Sequence, residues 1–512
     1  MNRSPFLQFV ALFVLAAFLR GQEPVRPPAT PESQKPIPVD VEADETGGPV
    51  RALTLEEAMR AGRSHNADLQ AAELVPQQAG LNLLFAEAGF EPEVYGSADY
   101  SDARSPQRSA FQPSNHQIAI NGALGWRQRV VTGGLFDLAF RPARFETSGS
   151  AAFPSKLYTA EWSASFRQPL LRGAWTDYNL AAVNSARYAF RQAQHDFDFA
   201  VQDTLQAIVE AYWELVFARE NWHVVSSALA VAEEQLRITD ERIRVRELAA
   251  RDRVADEAEV ARRREDLITA ENAIRTREDN LRRLLFDAAD PAFWRINLRP
   301  VSEIAVDPGD TEREFEPLVA VALAHRPDLQ SRRSLVAQAE VALLQAERDV
   351  LPNLELVGNW SSDGARDRFS DAWNDATGID YPDWSVGLEF SMPVGNNAAR
   401  ATAQRASLEV ERQRRSLHAA TLEVTKEVRA AVRNLNSLAE SIRASAESVR
   451  LAESDLETEQ VKLRVGASTA FEVQRRNQDL SEARSRHLRN LLDYRVAESR
   501  LLFVQGILES PL

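Results

Sequence analysis

Hydrophobic residues recur every seven positions along two stretches, from Val201 to Ile243 and from Val428 to Leu463. Small residues often follow three positions later, as at Ala211 and Ala431. A sustained seven-residue spacing is typical of helices that pack side by side with a left-handed supercoil. The pattern therefore predicts long helices over 176–243 and 397–464, each about 100 Å long at about 1.5 Å per residue.

Shorter helical patterns flank each long one. They cover 67–90 and 250–287 around the first long helix, and 327–350 and 471–508 around the second. Two short helices stacked end to end match one long helix in length, which predicts a rod of parallel helical tracks.

Between the short and long helices the pattern changes to a period of two, which is typical of β-strands. The first strand zone, about 92–169, contains four candidates, at 93–103, 116–130, 135–145 and 157–168. The "TGG" at 132–134 predicts a tight turn between the second and third of these strands. The second zone, about 352–393, contains candidates at 353–360 and 383–393, and its polar residues 361–382 have the composition of an exposed turn.

The chain contains this arrangement twice. The phrase "SHNADLQ" at 64–70 returns as "AHRPDLQ" at 324–330, an offset of 260 positions, and matches after the strand zones have an offset of 220. Pro327 begins a helix and disfavours helical geometry at the residue before it, while Asn66 can cap the equivalent helix. The phrase therefore predicts a helix break in each copy, with His65 and His325 at the breaks rather than in a shared site.

Composition excludes several kinds of chemistry. The 512 residues carry a net charge of −15, which disfavours a nucleic-acid backbone as the main partner, and contain no cysteine, which excludes disulfides and thiolate metal sites. The seven histidines are scattered without metal-binding spacing. With neither a P-loop nor a GxSxG motif in the sequence, we expect no enzyme activity and no cofactor.

The remaining segments predict the domain organisation. Residues 1–22 resemble a secretory signal peptide, although an uncleaved anchor is the alternative, and the Pro-rich residues 23–52 suit a disordered linker. A first repeat then covers 53–290, with a long coiled-coil hairpin at 176–287. After an equatorial linker, 291–314, the second repeat covers 315–508 and carries its own hairpin at 397–508.

With this duplicated helix–strands–long helix–turn–helix unit, residues 52–508 resemble the TolC-like outer-membrane efflux protein family. The phrases "ALAHRPDLQ" (322–330), "RQPLLRG" (167–173) and "RVGASTAFEV" (464–473) resemble the family's helix break, strand-to-helix junction and periplasmic tip turn. Six of the nine tryptophans lie in or beside the strand zones, where a membrane-interface girdle would contain them. A soluble sheet core is the alternative reading of that clustering.

The resemblance implies a mainly α fold with a membrane β-barrel. It implies a homotrimer whose protomers share one α-helical tunnel across the periplasm and one barrel in the outer membrane of a Gram-negative bacterium. Three chains would give 12 or 18 strands; family precedent favours 12, and the extra hairpin of the first copy favours 18. The channel would be a passive exit duct for an inner-membrane pump, joined through a periplasmic adaptor. A periplasmic coiled-coil adaptor and a soluble structural coiled coil are the competing readings.

Two sets of site residues follow from the resemblance. The helical-hairpin tips would contact the adaptor through residues at equivalent turns: Val245, Arg246, Glu247, Leu248, Val465, Gly466, Ala467, Ser468 and Thr469. The first tip has no glycine, which departs from the family pattern. An acidic ring would constrict the pore mouth through Asp252, Asp256 and Glu472, although Arg475 occupies the place of the second acidic residue in copy two.

Overall fold

The computed structural model describes residues 42–43, 49–104, 116–148, 156–247, 249–286, 294, 296–302, 304, 306, 309, 313–465 and 467–508. Its strands are β1 (Glu42–Ala43), β2 (Pro49–Leu53), β3 (Glu93–Arg104), β4 (His116–Arg129), β5 (Leu135–Ser148), β6 (Lys156–Pro169), β7 (Asn297–Pro300), β8 (Asn353–Arg366) and β9 (Pro382–Ser391). Its helices are α1 (Leu55–His65), α2 (Ala67–Ala88), α3 (Thr176–Asn179), α4 (Ala181–Arg244), α5 (Asp252–Leu285), α6 (Glu316–His325), α7 (Pro327–Asp349), α8 (Phe369–Gly378), α9 (Asn397–Arg464) and α10 (Ala470–Gln505). The predicted signal peptide lies outside the described residues.

The chain divides into two compact units. A strand unit comprises Leu81–Arg187 and Ala337–Glu411, and a helical unit comprises Val39–Gly80, Tyr188–Val336 and Arg412–Leu512. The strand unit holds one six-stranded antiparallel sheet in the order β3-β4-β5-β6-β8-β9. Every strand candidate from the sequence is present in it. The preference for four strands per chain, which underlies a total of 12, is wrong.

Four helices of the strand unit join its sheet at one end, which we call the helix end. Here α2 precedes β3, α3 follows β6, α7 precedes β8 and α9 follows β9. Hydrogen bonds hold this junction together. The Tyr178 hydroxyl donates to the Asp349 carboxylate at 2.7 Å, and the Asn179 amide donates to the Gly173 carbonyl at 2.6 Å. Burial and the neighbouring Asp349 raise the pKa of Tyr178 to about 12, so its hydroxyl stays a donor at neutral pH.

The opposite end of the sheet, which we call the outer end, differs from the sequence prediction. The segment 361–382 is not a simple exposed turn, because β8 continues to Arg366 and α8 occupies 369–378. Alternation beyond Trp360 is weak, since Ser362 and Gly364 stand where hydrophobic residues would mark a strand face. These small residues make room for α8.

The helical unit buries one continuous core along its long helices. In α4 the core residues are Leu205, Ile208, Tyr212 and Leu215, each at most 2% exposed, and α9 contributes Val428 and Leu435. The predicted heptad thus marks the buried seam. Helices of the two copies also bond directly, because Ser485 on α10 donates to Asn221 on α4 at 2.9 Å. None of the helices in the described part of the chain has the length and apolar character needed to span a bilayer.

The two predicted linkers contain strands that the sequence did not indicate. Residues 49–53 form β2, which pairs in parallel with β7 from the linker at 291–314 and antiparallel with β1. The assignment of all of 23–52 to a disordered linker is therefore wrong at 42–43 and 49–52. Leu53 and Leu298 are fully buried in the core, so long-range packing specifies these short strands.

Both helix breaks predicted from the repeated phrase are present. Helix α1 ends at His65 and α6 at His325, and each imidazole Nδ1 lies within hydrogen-bond distance of the carbonyl four residues earlier. Asn66 is the predicted cap: its Oδ1 accepts from the Leu69 N–H at 2.9 Å, and its Nδ2 donates to the Leu284 carbonyl. Arg326 has the extended backbone that Pro327 imposes, with ψ of 122°.

Candidate functional site

The six-stranded sheet has one apolar and one polar face. Directly paired residues share a face, and successive residues point to opposite faces. One row across all six strands is Val94, Trp126, Leu138, Ala164, Trp360 and Trp384. The adjacent row, on the other face, is Glu93, Arg127, Asp137, Ser165, Asn359 and Ser385.

Much of the apolar face is exposed within the chain. On β9, the edge strand, Trp384, Val386, Leu388 and Phe390 are each at least 66% exposed. Large apolar residues gain free energy on leaving water, so a contiguous exposed face of this kind indicates a covering apolar phase or partner.

The polar face is held by ion pairs between strands. Arg167 on β6 contacts Glu355 on β8 at 2.6 Å and Glu389 on β9 at 3.0 Å. Arg127 contacts Glu93 at 2.9 Å in the same manner. Charged groups on this face need water or each other, so the face suits the lining of an aqueous lumen.

The apolar face also has the height of a membrane band. On β6 its large apolar residues run from Phe166 to Tyr158, about 26 Å along a strand at about 3.3 Å per residue. A tilt of about 40° reduces this to roughly 20 Å, close to the band of about 25 Å in outer-membrane barrels. Level with Tyr158 the same face carries Arg144 and Arg366, and beyond it, toward the outer end, Glu146 and Lys156.

At the tip of the first hairpin, the connection between α4 and α5 begins with a Schellman turn. The Glu247 N–H donates to the Arg242 carbonyl at 2.8 Å, and the Arg246 N–H donates to the Ile243 carbonyl at 2.9 Å. Arg246 has φ of 64°, a left-handed conformation that favours glycine. Val245 is 60% exposed beside it. Leu248 lies outside the described residues.

The second tip forms the equivalent turn, since the Ala467 N–H donates to the Lys462 carbonyl at 2.8 Å. Gly466, aligned with Arg246, lies outside the described residues. Val465 is 73% exposed. Thr469 is the N-cap of α10 and accepts from the Glu472 N–H at 3.4 Å. The two tips therefore share the same backbone hydrogen bond and differ in their side chains.

The Ser468 hydroxyl adds a bond at the second tip, because it donates to Glu459 at 2.5 Å. This bond and the Lys462 ammonium lower the pKa of Glu459 below its ordinary value. A carboxylate with a lowered pKa keeps such contacts at neutral pH and loses them as the pH falls through that value.

The structure places Asp256 and Glu472, two of the three proposed constriction residues, in different environments. Asp256 accepts from the Thr239 hydroxyl at 2.6 Å, which joins α5 to α4 within the first hairpin. Glu472 lies in the first turn of α10, where its backbone N–H is capped. Asp252 is the first residue of α5, and its side chain lies outside the described set. Among the described residues, no group of three or more His, Asp or Glu side chains could hold a metal ion.

We predict that Arg246→Gly stabilises the first tip by about 1 kcal/mol, because glycine adopts a positive φ without steric cost. Hydrogen exchange of the Glu247 amide should slow in the variant. Val245→Gly is the matched control; it adds backbone freedom without relieving strain and should accelerate exchange. Equal acceleration in both variants would contradict the prediction.

Known proteins resemble this chain in sequence and in fold. Residues 318–506 match the family model described as outer membrane efflux protein. Over its second repeat, this chain is therefore similar to that family. The chain is also 26% identical over 348 residues to the outer membrane protein TolC of Vibrio cholerae, and the match covers 65% of this chain and 75% of that relative.

Solved structures of outer membrane channels and an outer membrane protein share the fold. The Campylobacter jejuni CmeC outer membrane channel has a TM-score of 0.63 at 16% identity, covering 89% of this chain and 86% of that one. The outer membrane protein VceC from Vibrio cholerae has a TM-score of 0.64 at 15% identity, with 88% and 96% covered. The open state of the Neisseria gonorrhoeae MtrE outer membrane channel has a TM-score of 0.63 at 14% identity, with 89% of each chain covered. The relatives named here are channels or membrane proteins.

Sequence reasoning did not identify the ion pairs of the polar face or the left-handed Arg246. The alternation of Arg167 with apolar neighbours was a usable signal for the former. For the latter, alignment of Arg246 with Gly466 at the offset of 220 was the available signal.

Proposed function

We propose that this protein is the outer-membrane exit channel of a tripartite efflux or type I secretion system. The observation that carries the proposal is the sheet whose one face is apolar at membrane height and whose other face is charged. Among the described residues its edges are also open, since β3 pairs only with β4 and β9 only with β8. Open edges are not tolerated in lipid, so the sheet must close with further copies.

Three copies close the barrel as a homotrimer of eighteen strands, with six from each chain. Because the strand number per chain is even and all pairings within the sheet are antiparallel, β9 of one copy runs antiparallel to β3 of the next. The hairpins of the helical unit would supply the wall of a shared periplasmic tunnel. Transport through such a duct is passive and needs no catalytic group.

The exposed tips support the proposed partners. A periplasmic adaptor would bind the turns at Val245–Glu247 and Ala467–Thr469, and an inner-membrane pump would supply the energy. The two tips offer unlike surfaces, because Arg242 pairs with Glu247 at the first and small residues form the second. The adaptor would therefore make more polar contacts with the first tip.

Membrane fractionation and planar-bilayer recording test the proposal together. We expect the full-length protein to stay in the outer-membrane fraction after high-salt and carbonate extraction, to migrate as a trimer, and to conduct ions. Release of a rod-like monomer into the periplasmic fraction would instead support an adaptor or a structural coiled coil.

We further predict that Asp252, Asp256 and Glu472 form the charged constriction. Replacing all three by Asn, Asn and Gln should change single-channel conductance and reduce cation preference, because negative charge at a narrow pore favours cations. Asp493→Asn is the control, since this carboxylate is paired with Arg489 at 2.9 Å and lies far along α10 from the tip. Unchanged conductance and selectivity in the triple variant would reject this assignment.

A further inference from the structure

Helix α8 packs on the apolar face of the sheet, at its outer end. Ala372 and Ala376 are at most 1% exposed and form a cluster with Ala160 of β6. Phe140, Tyr158 and Trp162 pack against the same cluster, and Phe140 and Trp162 are direct partners on the apolar face. The helix therefore covers the side of the sheet that carries no lumen-facing charges.

Specific contacts fix α8 in this position. The Trp373 ring lies edge-on to Phe140, with centroids 4.9 Å apart. A Cβ at Gly364 would lie 1.9 Å from the Ala372 carbonyl oxygen, so this close approach of helix and strand requires glycine. Arg366 donates to Asp375 at 2.5 Å and ties the helix to the end of β8.

The opposite surface of α8 is polar. Ser370, Asp371, Asn374 and Thr377 are exposed there. Polar side chains that include an exposed carboxylate cannot face hydrocarbon without a large desolvation cost. The helix covers the outer part of the apolar band, from Trp162 to Tyr158 on β6, and contacts the charged Arg366 of the same face.

We infer that α8 lies outside the pore wall and rests in the lipid headgroup layer of the outer leaflet. The inference depends on the proposed barrel, whose apolar face meets lipid. Its inner surface covers the aromatic residues at the membrane boundary, and its outer surface contacts headgroups. The β8–β9 connection then fixes the depth of the barrel in the membrane and leaves the pore entrance open.

Cysteine modification tests this placement, because the chain contains no cysteine of its own. Asn374→Cys places a thiol on the outer surface of α8. Asp363→Cys, the matched control, places one on the polar face beside Glu161, at the same end of the sheet. A charged, membrane-impermeant thiol reagent should alter the conductance of the Asp363→Cys channel and leave that of Asn374→Cys unchanged.

Fluorescence quenching supplies the second measurement. A fluorophore on Asn374→Cys in phosphatidylcholine vesicles should be quenched by lipids with a headgroup nitroxide and little by lipids brominated deep in the acyl chains. Loss of conductance on modifying Asn374→Cys, or no quenching by headgroup nitroxide, would overturn the inference. If the unmodified protein neither inserts nor conducts, the proposed channel function itself fails, so the two failures are distinguishable.

Discussion

Val386→Arg is expected to prevent stable assembly in the outer membrane. Val386 lies within the apolar run of β9 between Trp384 and Leu388, and is 67% exposed in the single chain. An arginine on the lipid face near the bilayer midplane costs about 2–4 kcal/mol, and a trimer would carry three. We expect the heat-resistant trimer to fall to a small fraction of the wild-type amount in purified outer membranes.

Ser385→Arg is the matched control for this variant. Ser385 is the neighbour of Val386 and lies on the polar face, in the row that contains Arg127 and Asp137. An arginine there faces water in the proposed lumen, so assembly should be retained while ion selectivity shifts toward anions. Equal assembly of both variants would show that the apolar face does not meet lipid.

Arg326→Met is expected to destabilise the helical unit by about 3 kcal/mol. The Arg326 side chain is 6% exposed and pairs with Asp328 at 2.9 Å and with Glu427. Removal of one member of a buried ion pair leaves uncompensated charge. This expected loss of stability lies at the lower end of the range for buried ion pairs, because the two carboxylates remain 29% and 33% exposed. The midpoint of thermal unfolding in detergent measures the change.

Two further variants show whether charge causes the loss of stability in Arg326→Met. Arg283→Met removes an exposed pair with Asp68, 3.6 Å apart, and should cost less than about 1 kcal/mol. Adding Glu427→Gln to Arg326→Met should recover part of the lost stability, because it removes one unpaired carboxylate. A loss that the second change does not relieve would mean that packing of the arginine stem, rather than charge, stabilises the break.

Local pattern predicted the helices closely. The sequence placed the second long helix at 397–464, which is its observed extent, and the helix before it at 327–350 against an observed end at Asp349. Such agreement arises because helical period, caps and prolines act over a few residues. The duplicated phrase located both breaks for the same reason, with Asn66 and Pro327 as local signals.

The candidate site was predictable in part. Alternation along β9 distinguishes its two faces before any strand is paired. It does not show which residues of other strands share those faces, because a shift of one residue in register would exchange them. The ion pair between Arg167 and Glu355 spans 188 positions and depends on that register.

By itself, the sequence determined the repeat, the long helices, their breaks and the strand zones, since each depends on neighbours within a few turns. Only the tertiary structure decided where α8 packs, that β2 pairs with β7, and that Arg246 takes a left-handed conformation. These features depend on groups distant in the chain or on the geometry that a turn must satisfy. The role of the small residues Gly364 and Ala372, which is to allow the close approach of helix and strand, is visible only in the folded chain.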